Sequence, residues 1–423
     1  MTSTSFEWKT IPLRHVCHLY PYIDFRGISE DDELTFLPMD RVKNGYFIPN
    51  TDKFSKYSSS YNAFEEGDIL LAKVTPCFEN GNIAIAEHLE LGKGFGSSEI
   101  FVIRPTKAHR KFLFYYFQSS AFKQEGVASM TGAGGLKRVS PEMLRQHHLP
   151  FPSQETQRLV ANFLDNETAR IDALIEKKQR LIELLKEKRQ AVITQAVTKG
   201  LDPSVPMKDS GVEWLGEVPE HWSVIPFRKC MSSIVDYRGR TPEKVDDGVF
   251  LLTARNIGEG CINYDASQEY TTEEDYREIL KRGVPKVGDV VFTTEAPLGH
   301  VASLDRDDIA IAQRVIKFNG NEDIVDNQFL MYSMLSNYFQ SQIYSYATGS
   351  TALGLKAERM VYLRLVIPPI EEQRKLIELV KKSIRAIDAL IAKTENSVNL
   401  LLEHRSALIT ATVTGQIDVR DVA

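Results

Sequence analysis

The chain has 423 residues, of which 43% are hydrophobic and 26% charged, and these proportions are ordinary for a soluble protein of two to four domains. No apolar run reaches the roughly eighteen residues of a membrane span, and the first ten residues lack a signal-peptide pattern. The net charge of −6 argues against a protein that coats nucleic acid without sequence specificity, although a local basic surface can lie on an acidic protein. The four cysteines are scattered, which predicts reduced thiols in the cytoplasm and neither a disulfide framework nor a zinc site.

Residues 1–152 are predicted to form a mixed α/β globular domain. Runs of aliphatic and β-branched residues, each bounded by Gly, Pro or Asn, predict strands at 68–74, 82–86 and 100–104. The aromatic-rich segment from Lys111 to Gln124 predicts one helix. The glycines that follow Thr131 predict a flexible loop.

Residues 153–200 are predicted to form one long helix, because the segment from Gln154 to Lys199 contains neither Gly nor Pro. At about 1.5 Å per residue, this helix is a rod of roughly 65–70 Å. Its apolar residues recur in a heptad-like stripe, which such a rod cannot bury by itself. A partner of similar length is therefore expected.

A second long helix is predicted over residues 369–415, and it repeats the first without a gap. Gln157, Ile171 and Arg189 recur as Gln373, Ile387 and Arg405, and the positions differ by 216 each time (373−157, 387−171 and 405−189). Two unrelated core helices would not share both length and repeat phase, so we expect the two helices to pair. The residues expected in the pairing are Leu164, Ile171, Leu174, Ile175, Leu181, Leu185, Val192, Ile387, Leu390, Ile391, Leu401 and Leu408.

Residues 222–368 repeat the first domain more loosely. Asp236-Tyr237-Arg238-Gly239 matches Asp24-Phe25-Arg26-Gly27, and Gly288-Asp289-Val290-Val291 matches Gly67-Asp68-Ile69-Leu70, but the offsets drift between 212 and 221 (236−24 and 288−67). Residues 201–221 are a Pro- and Gly-rich connector, and residues 416–423 are a tail. A rigid repeat of the helices and a loose repeat of the domains suggest a fixed spacer that carries two heads with different targets.

Ordered motifs carry a family resemblance over essentially the whole chain. They are the paired Ile-Asp-Ala-Leu-Ile helices, the helix starts at Pro152–Arg158 and Pro368–Arg374, and the domain segments Lys73–Gly81, Tyr237–Pro242 and Gly288–Gly299. This layout resembles the specificity subunit of type I restriction-modification systems. One departure is Glu155-Thr156-Gln157, where the second helix has Glu371-Glu372-Gln373.

The resemblance implies a mixed α/β fold with two target recognition domains and two long antiparallel helices that form a coiled coil with a pseudo-twofold repeat. Each domain would read one half of a bipartite site in double-stranded DNA, and the helices would set the spacer. Two methyltransferase subunits would dock on the helices, and endonuclease/translocase subunits would join them. Chemistry, S-adenosylmethionine, ATP and Mg²⁺ would belong to those partners, so this subunit would have no catalytic or metal-binding residues and no membrane contact.

A search for an enzyme site by motif finds none. There is no G-x-x-x-x-G-K-S/T phosphate loop and no Asn-Pro-Pro-Tyr motif of adenine methyltransferases. The glycine-rich segment Gly92–Gly96 is interpreted as a hairpin loop. His147 and His148 are adjacent and are interpreted as surface residues, because neighbouring side chains on a helix or strand point apart.

DNA reading needs cations for phosphates and planar polar groups for base edges. Loop residues of these types are the candidate contacts. In the first domain they are Arg26, Lys43, Asn44, Lys73, Thr75, Asn80, Lys137 and Arg138. In the second they are Tyr237, Arg238, Arg240, Thr241, Arg255, Asn256, Thr293, Thr294, Glu295, Gln313, Arg314 and Lys356, of which Glu295 could accept from cytosine.

Two other classes of function compete with DNA specificity. A coiled-coil scaffold with two protein-binding heads would explain the helices equally well, but not two domains with one framework and different loops. A standalone nuclease or methyltransferase lacks a recognisable site. Heads that read successive major-groove faces must lie about 34 Å apart or a multiple of that, and the predicted rods are long enough.

Overall fold

The computed structural model describes residues 8–57, 60–133, 135–212, 215–239, 241–349 and 353–420. The chain divides into two compact units. The first comprises Met1–Gln179 and Glu395–Ala423, and the second comprises Arg180–Thr394. Each unit therefore holds one globular domain, called here the N-terminal head (residues 8–152) or the C-terminal head (residues 222–368), and part of each long helix.

The N-terminal head contains ten strands and three short helices among its described residues. The strands are β1 Thr10–Pro12, β2 Cys17–Leu19, β3 Glu33–Leu37, β4 Thr51–Lys53, β5 Asn62–Glu65, β6 Ile69–Ala72, β7 Ile83–Ile85, β8 Lys93–Gly96, β9 Ile100–Pro105 and β10 His148–Pro150. The helices are α1 Arg110–Tyr116, α2 Ser120–Ala128 and α3 Pro141–Gln146. The strands form an antiparallel sheet in the order β2-β9-β6-β7, a mixed sheet in the order β4-β3-β8-β5 and a β1-β10 pair.

Alternating side chains of the antiparallel sheet build two cores, because successive residues of a strand face opposite sides. Ile69 and Leu71 of β6 join the core beneath α1 and α2. Leu70, between them, joins the core that the mixed sheet covers. The strands predicted near 68–74, 82–86 and 100–104 are thus confirmed as β6, β7 and β9.

The C-terminal head repeats this plan. A connector hairpin of β11 Met207–Asp209 and β12 Glu217–Pro219 precedes it, and the long helix α4 Gln154–Thr198 precedes that hairpin. The strands of the head are β13 Ser223–Pro226, β14 Met231–Asp236, β15 Lys244–Val245, β16 Val249–Leu252, β17 Tyr270–Thr271, β18 Val290–Thr294, β19 Leu298–Ser303, β20 Ala310–Ile311, β21 Val315–Gly320 and β22 Arg364–Ile367, and the helices are α5 Glu273–Leu280, α6 Asn327–Leu335 and α7 Asn337–Tyr346. The sheet orders are β14-β21-β18-β19, β15-β17-β16-β20 and β13-β22.

Three local predictions for the N-terminal head are wrong. The segment from Lys111 to Gln124 is two helices, because Ser119 caps a new helix by accepting a hydrogen bond from the Phe122 amide. Residues 93–96 are strand β8, parallel to β3, and not a hairpin loop; a Cβ at Gly96 would lie 2.4 Å from the Leu37 carbonyl oxygen, so glycine allows this close approach. His147 is buried between Tyr116 and Glu125 and bonds to both at 2.8 Å.

The long helices α4 and α8 Ile370–Val413 run antiparallel. In the first unit, Arg405 of α8 pairs with Asp172 of α4 at 2.9 Å. In the second unit, Arg189 of α4 pairs with Asp388 of α8 at 3.2 Å. The two pairs are thus 17 residues apart along α4 (189−172) and 17 residues apart, in the opposite direction, along α8 (405−388). Among the described residues, no helix is long and apolar enough to cross a lipid bilayer.

Only some of the residues predicted to pair the two helices are buried between them. Ile171 and Ile175 pack with Val398, Leu401 and Leu408, and Ile387 is also buried. Leu164 instead joins the core of the N-terminal head, and Leu185, Val192 and Ile391 are half-buried. The prediction is wrong for Leu174, Leu181 and Leu390, which are 41%, 45% and 52% exposed, because one residue turns a helix by about 100°.

Candidate nucleic-acid interface

Two loops meet at one edge of the N-terminal head. The first, called the proline loop, follows β6 and contains the cis bond between Thr75 and Pro76. The second, called the glycine loop, runs from Thr131 to Arg138, with residue 134 outside the described part. The Thr75 hydroxyl donates to the Gly135 carbonyl at 2.9 Å and accepts from the Lys137 amide at 2.8 Å, so the two loops support each other.

Four predicted contact residues come together there. Lys73, Thr75, Lys137 and Arg138 share this corner, with Lys137 and Arg138 on the exposed side. Burial lowers the pKa of Lys73, whose ammonium lies 5.7 Å from the centre of the Phe101 ring. Arg138 makes a two-pronged ion pair with Glu99, which the sequence search did not single out.

A second set of candidates lines the far end of the proline loop. The Lys43 carbonyl accepts from the Ile83 amide at 2.9 Å, and Asn44 bridges to the same residue. Asn80 lies within this loop, and its amide donates to the Pro76 carbonyl. Lys123 of α2 also belongs here, and burial lowers its pKa. Lys123 was not predicted from the sequence, because the candidates were chosen from loops and this residue lies within a helix without a recognisable motif.

Arg26 lies in a different loop of the same head. Its side chain is 91% exposed and pairs with Asp24 at 2.6 Å. The matching Arg238 of the C-terminal head pairs with Asp236 in the same way, but is more enclosed. The Asp236 carboxylate raises the pKa of the Arg238 guanidinium. The repeated Asp-x-Arg sequence is therefore a local ion pair in both heads.

The C-terminal head has the same corner with different side chains. The cis bond between Ala296 and Pro297 follows β18, and Gly354 bridges to both Glu295 and Thr348. Arg314 pairs with Glu295 at 2.9 Å. The other candidates at this corner are Thr241, whose hydroxyl donates to Gln313 at 2.6 Å, and the exposed Lys356.

Four candidates of the C-terminal head are corrected to structural residues, because burial leaves no surface for a base or a phosphate in this fold. The Tyr237 hydroxyl donates to the Gly283 carbonyl, and the Asn256 amide bonds to backbone and hydroxyl groups of its own loop. Thr293 accepts from the His300 amide, and Thr294 donates to the Arg314 carbonyl. Arg255 is exposed on the loop after β16, and Arg240 lies outside the described residues.

In the described part of the chain, no group of three or more His, Cys, Asp or Glu side chains could hold a metal ion. The side chains of the two corners can form hydrogen bonds and ion pairs. They present guanidinium, ammonium, carboxylate and amide groups on loops that backbone hydrogen bonds fix in place. Such groups can bind phosphates and base edges.

Comparison with known proteins gives one family. The profile of the type I restriction modification DNA specificity domain matches residues 7–184 and 257–400. The type I restriction enzyme MjaVIII specificity subunit of Methanocaldococcus jannaschii is 25% identical over 407 residues, covering 94% of this chain and 90% of that protein. The EcoAI specificity subunit of Escherichia coli is 24% identical, covering 94% of this chain and 81% of that protein.

Solved structures show the same fold. A chain from a study of complex assembly and conformational transition of the type I R-M system matches with a TM-score of 0.73 and 16% identity, covering 97% of this chain and 98% of that one. The HsdS subunit from Thermoanaerobacter tengcongensis matches with a TM-score of 0.53 and 16% identity, covering 99% and 100%. The two domains, the repeated long helices and the sequence matches agree, and the chain belongs to the type I restriction modification DNA specificity family, as a specificity subunit.

Proposed function

We propose that each head reads one half of a bipartite DNA target. The observation that carries this proposal is the pair of equivalent corners beside the cis-proline bonds. Both heads use equivalent strands and loop contacts there, yet the N-terminal corner presents Lys73, Glu99, Lys137 and Arg138, and the C-terminal corner presents Glu295, Arg314 and Lys356. Two heads that share strands and loops but differ in their corner side chains can bind two different DNA sequences.

We also propose that the paired helices set the spacer between the half-sites and dock two methyltransferase subunits. Seven leucines of α4 and α8 support the docking, because their exposed fractions lie between 41% and 56% and large apolar side chains on both helices favour a partner surface. They are Leu174, Leu181, Leu184, Leu379, Leu390, Leu400 and Leu402. Methylation with S-adenosylmethionine, and cleavage driven by ATP and Mg²⁺, would belong to the methyltransferase and endonuclease/translocase partners.

A head exchange tests the reading of half-sites. Residues 222–368 are replaced by the corresponding head of a relative with a different target, and DNA from cells that carry the full system is sequenced for methylated adenines. One half-site should change to that of the donor, while the other half-site and the gap stay the same, because residues 8–152 are untouched. A change in both half-sites, or in neither, would contradict the proposal.

The alternative of a protein-binding scaffold predicts a different result. A complex assembled on a scaffold would methylate the same DNA after the exchange, since the heads would not select the sequence. The same sequencing data therefore decide between the two functions.

A further inference from the structure

The two corners hold one ion pair each, and one equivalent position carries opposite charges in the two heads. In the N-terminal head Ala72 pairs with Ile100, and in the C-terminal head Thr293 pairs with Val315. The residues just before Ile100 and Val315 are therefore equivalent, and they are Glu99 and Arg314. The same place in the framework carries a carboxylate in one head and a guanidinium in the other.

The partner of each residue comes from a different loop. Glu99 is paired with Arg138 of the glycine loop, whose Nε and Nη2 lie 2.9 Å from its two carboxylate oxygens. Arg314 is paired with Glu295, where β18 ends, through Nε at 2.9 Å. Each corner thus holds one arginine beside one glutamate, but the arginine stands on a different segment.

This geometry leaves part of each guanidinium available. Arg138 uses Nε and Nη2 for Glu99, and among the described residues its Nη1 has no hydrogen-bond acceptor. The outer edge, formed by Nη1 and the second hydrogen of Nη2, still offers two parallel donors. Guanine presents two parallel acceptors, O6 and N7, in the major groove.

The glutamate also decides which part of DNA fits the arginine. A carboxylate beside the guanidinium cancels its charge and repels a phosphate, so the pair is a poor phosphate ligand. The same carboxylate fixes the direction of the guanidinium, which lowers the entropy cost of meeting a base edge. Lys137, next to Arg138, is exposed and has no carboxylate partner in the described residues, which suits a phosphate contact.

Arg314 shows a further sign of a position held for function. Its backbone has φ of +78°, a region that residues other than glycine rarely occupy. Its carbonyl accepts hydrogen bonds from the Thr294 amide at 2.9 Å and from the Thr294 hydroxyl at 3.1 Å. Strained backbone that its neighbours hold in place is typical of binding sites.

We propose that Arg138 and Arg314 each read a guanine of their own half-site, with Glu99 and Glu295 as positioning residues. The proposal rests on the proposed function, since it assigns a base to a corner that must face DNA. Because the arginine stands on different segments in the two heads, the guanine would occupy a different position in each half-site.

The test uses the complete complex with its methyltransferase subunits and sequencing of the methylated sites. Arg138→Ala should reduce discrimination roughly tenfold to a hundredfold at a single guanine of one half-site and leave the other half-site unchanged. Glu99→Gln, which keeps the size of the side chain but removes its charge, should relax the same position less. Arg314→Ala should relax one position of the other half-site.

Lys137→Ala is the matched control, since it removes a cation from the neighbouring residue. It should weaken DNA binding evenly across sequences and lower the salt dependence, without relaxing any position. Should Arg138→Ala and Lys137→Ala give the same even loss, or should Arg138→Ala keep full discrimination at every guanine, the inference is wrong. If the Arg138→Ala variant does not assemble with the methyltransferase subunits, Glu99→Gln and Arg138→Lys replace it, because they preserve the bulk of the corner. Sequencing of the methylated sites then decides the question.

Failure of the proposed function has a separate signature. If the wild-type complex methylates DNA without a two-part motif, the heads do not read half-sites at all. If the wild-type motif is bipartite but none of the variants relaxes a guanine, only the assignment of the arginines fails.

Discussion

The Gly-Asp sequences that both heads share have a structural role at the level of single residues. Asp289 is buried, accepts from the Lys286 amide and pairs with Lys317 at 2.5 Å. Asp68 of the N-terminal head is equally buried and pairs with Arg104 at 2.7 Å. The carboxylate closes the turn before the central strand and neutralises a cation of the neighbouring strand, so this motif belongs to the framework and not to the DNA contact.

Removing the cation alone should be costly. Lys317→Ala leaves the Asp289 carboxylate buried without a counter-charge, and we expect it to lower the free energy of unfolding by about 3–5 kcal/mol. Urea unfolding of the purified chain, followed by circular dichroism, measures this as a lower midpoint.

The double variant Asp289→Asn with Lys317→Met is the control, because it removes both charges and keeps a similar volume. It should recover most of the lost stability. A single variant that is as stable as the double variant would show that the pair contributes little.

Residue types in loops predicted part of the candidate interface. Lys73, Thr75, Lys137 and Arg138 were named as candidates from the sequence, and the structure places them in one corner. Glu99 escaped notice because its partner Arg138 is 39 residues away, and ion pairs over such distances depend on strand register. Burial of Thr293 and Asn256 was equally hidden, because a threonine or asparagine looks the same in sequence whether it serves the core or the surface.

At the scale of elements, residues of the repeated helix motifs form ion pairs between α4 and α8. Asp172, in the Ile-Asp-Ala-Leu-Ile sequence of α4, pairs with Arg405 of α8. Arg405 lies 17 residues after Asp388, the equivalent aspartate of α8 (405−388). Heptad spacing correctly predicted two paired helices. It did not decide which of two adjacent apolar residues faces the seam, because a stripe two residues wide allows both choices.

Two adjacent residues of α4 test the observed seam. Ile175 is buried between the helices, so Ile175→Ala should lower the free energy of unfolding by about 2–5 kcal/mol. Leu174 is exposed, so Leu174→Ala should change stability by no more than about 0.5 kcal/mol. Urea midpoints of the two variants give the comparison, and equal midpoints would argue against this seam.

The Leu174→Ala variant also tests the proposed docking of the methyltransferase subunits. Leu174→Ala should reduce the amount of methyltransferase subunit that co-purifies with the chain, since its exposed side chain is assigned to the partner surface. Retention equal to that of the wild type would remove Leu174 from that surface without affecting the seam.

At the scale of the whole molecule, both long helices contribute to both compact units. This arrangement is what the spacer proposal requires, because a change in helix length acts on a segment common to both units. The two ion pairs are separated by 17 residues on each helix (189−172 and 405−388), so under the spacer proposal α4 and α8 are expected to change length together.

Inserting seven residues at facing positions of both helices, after Glu183 and after Lys393, should lengthen the unread gap by about three base pairs. Seven residues add about 10 Å of helix and keep the heptad phase, and one base pair rises by about 3.4 Å. Sequencing of methylated sites gives the gap directly. Both half-sites should stay the same, and an unchanged gap would exclude the helices as the spacer.

Insertion into α4 alone is the control. It breaks the register of the two ion pairs, so the variant should lose stability and methylation and should not show a longer gap. A longer gap from this single insertion would contradict paired helices as the measuring element.

By itself, the sequence determined the duplication, the two long helices and the family, because these depend on patterns that local residues carry: helix propensity, heptad spacing and motif order. Tertiary structure decided which residues form the candidate interface, since strand register and loop packing bring together Glu99 and Arg138, or Glu295 and Arg314, from separate parts of the chain. It also decided which leucines of the helices are buried. The physical reason is the same in each case, because burial and ion pairing depend on three-dimensional neighbours that residue type and spacing do not specify.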